Sequence, residues 1–127
     1  MYLVLFVLHN PDRLDDLLQA WDEVGVNGIT ILPSTGLARL RQRSVLRDDL
    51  PLIPSLHDIL SHVENLNRTI FTIVDSDSAV DQVVAATESV VGDLDLPNTG
   101  ILSVLPLARV YGLHRRNNAG ENGNSSL

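Results

Sequence analysis

Met1-Tyr-Leu-Val-Leu-Phe-Val-Leu-His-Asn-Pro-Asp-Arg-Leu-Asp-Asp-Leu-Leu-Gln-Ala-Trp-Asp-Glu-Val-Gly25 contains two different periodicities joined by a cap. Residues 2–9 are a continuous apolar run of strand length, the pattern of a strand covered on both faces. Asn10 is placed to cap a helix, with Pro11 at its first position and Asp12, Asp15 and Asp16 near the positive end of its dipole. Leu14, Leu17, Leu18, Trp21 and Val24 then form one apolar stripe, and Gly25 supplies the left-handed residue that closes a helix. After Asn27-Gly28 the spacing predicts a second strand from Ile29 to Leu32, broken by Pro33. The opening is therefore a β-α-β unit.

The plan repeats further on. Thr69 to Val74 is a β-branched strand, and Asp75-Ser-Asp-Ser78 offers several N-caps. Val80, Val83, Val84, Thr87 and Val91 make the next helical stripe, which stops at Gly92. A loop with Pro97 leads to the last strand, Ile101 to Leu105. Two β-α-β halves in a chain of 127 residues predict an α+β, ferredoxin-like βαββαβ sandwich, with two helices on one face of a four-stranded antiparallel sheet. The expected layout is one domain over 1–114 with an insertion at 34–68, followed by a polar, disordered tail at 115–127.

The other sheet face has no such cover. In the first strand Leu3, Leu5 and Val7 are as apolar as Tyr2, Val4, Phe6 and Leu8. A monomer would leave that face as a sticky patch, so the pattern predicts an oligomer whose sheets pack face to face. The insertion is longer than its hairpin requires, which marks it as functional or disordered. Its later part predicts a short helix capped by Ser55, with Asp58 at the capping-box position and Leu56, Ile59, Leu60 and Val63 on one face.

Its earlier part carries Arg39, Arg41, Arg43 and Arg47, four of the nine basic residues of a chain with no lysine and a net charge of −7. Guanidinium groups gathered on a loop suit an anionic ligand or an acidic partner surface; the competing reading is a solvated loop. The acidic balance argues against nucleic-acid binding. With no cysteine, disulfides and thiol chemistry are excluded, and with no lysine, Schiff-base chemistry is too. The N-terminal run lacks a basic flank, and no stretch reaches the length of a membrane span, so a cytoplasmic location is the expectation.

Pro11-Asp-Arg-Leu-Asp-Asp16, Glu23-Val-Gly-Val-Asn-Gly-Ile-Thr-Ile31, Gly36-Leu-Ala-Arg39 and Gly100-Ile-Leu-Ser-Val-Leu-Pro-Leu-Ala-Arg-Val110 together resemble the PII nitrogen-regulatory signalling proteins. The resemblance spans both halves but not residues 40–68. It implies a homotrimer with inward-facing sheets, ATP or ADP in clefts between subunits, sensitivity to 2-oxoglutarate, and a long loop that contacts a target protein. Carried over by position, Thr30, Gly36, Leu37, Arg39 and Gly100 would line the cleft. Arg41, Arg43, Ser44 and Arg47 would belong to the partner-binding loop, with Ser44 a candidate phospho-acceptor. Glycines there would let backbone N–H groups approach phosphate oxygens, and Arg39 would offer a forked donor.

The departures are specific. The family's phosphate-binding lysine is Ile101, its glutamine is Leu40, and its C-terminal arginine pair falls on Gly112 and His114. Each lost charge-assisted contact is worth about 1.5–3 kcal/mol, which argues against ATP and for ADP, AMP or no nucleotide at all. The loop also has no tyrosine, since the two in the chain are Tyr2 and Tyr111. No Ser/His/Asp ordering, Walker loop or dinucleotide fingerprint is present, so the chain reads as a non-enzyme that requires no cofactor. The alternatives are a trimeric interaction module without a small-molecule ligand and a divalent-metal trimer of the CutA type. Asp58 and His62, at i and i+4, would be the metal pair in the latter.

Overall fold

The structure is a computed structural model that describes residues 1–36 and 67–113. In chain order it contains β1 (Tyr2–Leu8), a single 3-10 turn (Pro11–Arg13), α1 (Leu14–Glu23), β2 (Thr30–Ser34), β3 (Asn67–Val74), α2 (Asp77–Val91) and β4 (Ile101–Pro106). The strands form one sheet in the order β2-β3-β1-β4, antiparallel at every pairing. This is the expected ferredoxin-like α+β arrangement, in which each β-α-β unit is split by a strand of the other.

Three local expectations are corrected. Asn10 does cap, its Oδ1 accepting from Asp12 N at 3.0 Å, but the capped element is the 3-10 turn and the α-helix begins only at Leu14. Pro33 does not end the second strand; it lies within β2, opposite Arg68. It is tolerated there because β2 is an edge strand, on which a missing N–H need not cost a ladder bond. β3 starts at Asn67 rather than Thr69, with Ser34 paired to Asn67, so the insertion narrows from 34–68 to the residues between those two. The helix expected from Ser55 and the tail at 115–127 lie outside the described residues.

Alternation along β1 turns Val4, Phe6 and Leu8 toward the helices, where all three are fully buried with Leu17, Trp21, Ile70 and Val83. The α2 stripe departs from the expected one: Val80, Val83, Thr87 and Val91 face the core, and Ala86 and Val90 join them while Val84 does not. The one tryptophan joins the two helices. Trp21 Nε1 donates to Thr87 Oγ1 at 2.9 Å, and that hydroxyl donates to Val83 O at 2.7 Å. The buried indole and hydroxyl thereby satisfy each other inside an apolar layer. Arg13 makes a second link, its Nη2 donating to Val90 O at 2.7 Å in the last turn of α2, where carbonyls lack helical partners. Its ion pair with Asp16, at 3.3 Å on the surface, adds little.

At the other end of α2, Ser76 Oγ accepts from Ala79 N at 3.1 Å as N-cap. Asp77, in the first turn, is placed to accept a hydrogen bond from the Tyr2 hydroxyl at the start of β1. That bond, then the carboxylate's charge, then burial, raise the Tyr2 phenol above its ordinary 10.0. A raised value means that the folded state holds the phenolic proton more tightly. The stabilisation is complete below the ordinary tyrosine range and is lost as pH rises through the raised value.

Two measurements check these links. Thr87→Val strands the Trp21 N–H in the core and should lower unfolding free energy by about 1–3 kcal/mol, read from denaturant titration of the single tryptophan's fluorescence. In a Tyr111→Phe background, phenolate absorbance should titrate with a midpoint above 10.0, and adding Asp77→Ala should bring it down toward that value. An unchanged midpoint would break the assignment.

Candidate functional site

Register assigns each strand residue to a face. Thr30, Phe71, Leu5 and Ser103 form one row across the sheet, and Leu32, Thr69, Val7 and Ile101 form another. Both rows lie on the face away from the helices, because Val4, Phe6 and Leu8 occupy the helix side. On this outer face Leu3, Leu5, Val7, Phe71 and Ile73 are half-buried, while Leu32 is 48% exposed, Leu105 45% and Ile101 59%. The only charged residue in any of the four strands is Arg68, and its pairing with Leu8 puts it on the helix side. All acidic side chains of the described residues belong to helices, turns and loops. Among the described residues the outer face is thus largely apolar and carries no charge. Its polar groups are the Asn67 amide and small hydroxyls, of which Thr69 donates to Ser34 Oγ at 2.8 Å.

The expected cleft residues divide between opposite edges of this sheet. Thr30 lies in β2, exposed on the outer face, and Gly36 lies just beyond the end of that strand, in open space. Gly100 immediately precedes β4, at the far edge. Two strands lie between, so the edges are separated by about 14 Å, three strand spacings. Gly36 and Gly100 share the end of the sheet where β1 finishes and β3 begins, but within one subunit they do not meet. Leu37, Arg39, Arg41, Arg43, Ser44 and Arg47 lie outside the described residues, as do Asp58 and His62. Among the described residues no group of three or more His, Cys, Asp or Glu is placed to hold a metal ion.

Gly100 has a packing role that its motif does not reveal. Its φ is +133°, and a Cβ built there would lie 2.5 Å from Phe6 Cζ and 2.6 Å from Val7 O. Only glycine permits this approach of the β4 entry to β1. No sequence signal could have shown it, because the clash arises across the sheet between residues more than ninety positions apart. Ile101, which stands where the resemblance would have a lysine, extends exposed from the adjacent position.

No protein-family profile and no characterised protein matches the chain. No helix of the described residues is long and apolar enough to cross a membrane.

Gly100→Ala tests the packing role directly. It should destabilise the fold by about 2 kcal/mol or more in the absence of any ligand, measured by denaturant unfolding. A variant as stable as the parent would leave only a binding role for this glycine.

Proposed function

We propose that the protein is a PII-like regulatory homotrimer that senses a small anionic effector between subunits and acts on a partner protein through residues 37–50. The observation that carries this reading is the outer sheet face. It spans roughly 400 Å² from strand spacing and rise, is largely apolar, and among the described residues holds no charge. A face of that character on a chain of net charge −7 favours burial against other copies of the chain, since the carboxylates of the described residues sit outside the strands and do not oppose it.

The distribution of the cleft residues supports the same reading. Thr30 and Gly36 on one edge and Gly100 on the other can contribute to a common site only where two subunits place unlike edges together. Such a contact is heterologous, and a rotation of one third of a turn between subunits would close it as a three-membered ring. In that cleft Arg39 would be the principal cation, with ADP or AMP the favoured effector class over ATP. Arg41, Arg43, Ser44 and Arg47 would face the target protein. The reading involves no catalysis.

A second reading has a specific observation in its favour. Gly100 is accounted for by packing against Phe6, and the exposed Ile101 offers a phosphate nothing. An oligomeric interaction module without a small-molecule effector would have both features.

Two experiments separate the levels of this proposal. Sedimentation should give a mass three times that of the chain, and Phe71→Glu, which places a charge in the middle of the outer face, should yield monomers with retained helical circular dichroism. A parent protein that sediments as a monomer ends the trimer proposal. Calorimetry with ATP, ADP, AMP and 2-oxoglutarate should show ADP or AMP binding tighter than about 1 mM, weakened at least about tenfold by Arg39→Ala. Silence with all four compounds on an intact trimer would leave the interaction module standing.

A further inference from the structure

We draw no further inference here: the strongest candidate, the open outer edge of β4 with Ile101, Val104 and Leu105 exposed, belongs to the subunit contact already proposed, and nothing in the structure shows what else covers it.

Discussion

A strand that is apolar at every position has to be covered twice, and β1 (Tyr2–Leu8) is such a strand at the centre of its sheet. Two helices cover one side. They do so with Val4, Phe6 and Leu8 pressed against Leu17, Trp21 and Val83, and with the Trp21–Thr87–Val83 hydrogen-bond chain fixing one helix to the other. What remains is Leu3, Leu5 and Val7 on the reverse, flanked by Phe71 and Ile73. Every proposal about assembly follows from that second, unmet requirement.

Much of this architecture was legible in the chain because apolar periodicity reports burial. Leu14, Leu17, Leu18, Trp21 and Val24 have helical spacing; the structure buries Leu17 and Trp21 completely, packs Leu14 and Val24 beside them, and leaves Leu18 half-buried outside the core cluster. Periodicity is silent where pairing rather than burial defines an element. Asn67 and Arg68 extend β3 through backbone hydrogen bonds, and neither residue type announces a strand. Pro33 misled for a related reason: the prohibition on proline applies to central strands, and an edge strand escapes it.

The site was legible in a different sense. The motifs around Thr30, Gly36 and Gly100 mark positions but not their purpose. Gly100 shows the difference, since the motif suggested close approach of a phosphate while the backbone shows close approach of Phe6. Both demands exclude a side chain, so composition alone could not separate them. The spread of these residues over two sheet edges was likewise invisible until strand order was known, because sequence distance does not report which strands are neighbours.

Strand order also decides how the chain can reach its native state. In β2-β3-β1-β4 the two strands of the first half, β1 and β2, never touch, and neither do β3 and β4. Each half holds strands that bond only to strands of the other. No half-molecule therefore has a paired sheet of its own, and folding resembles the association of two fragments held on one tether. Ser34 and Asn67, which bracket the insertion, are cross-strand partners, so a single closure brings the two halves into register.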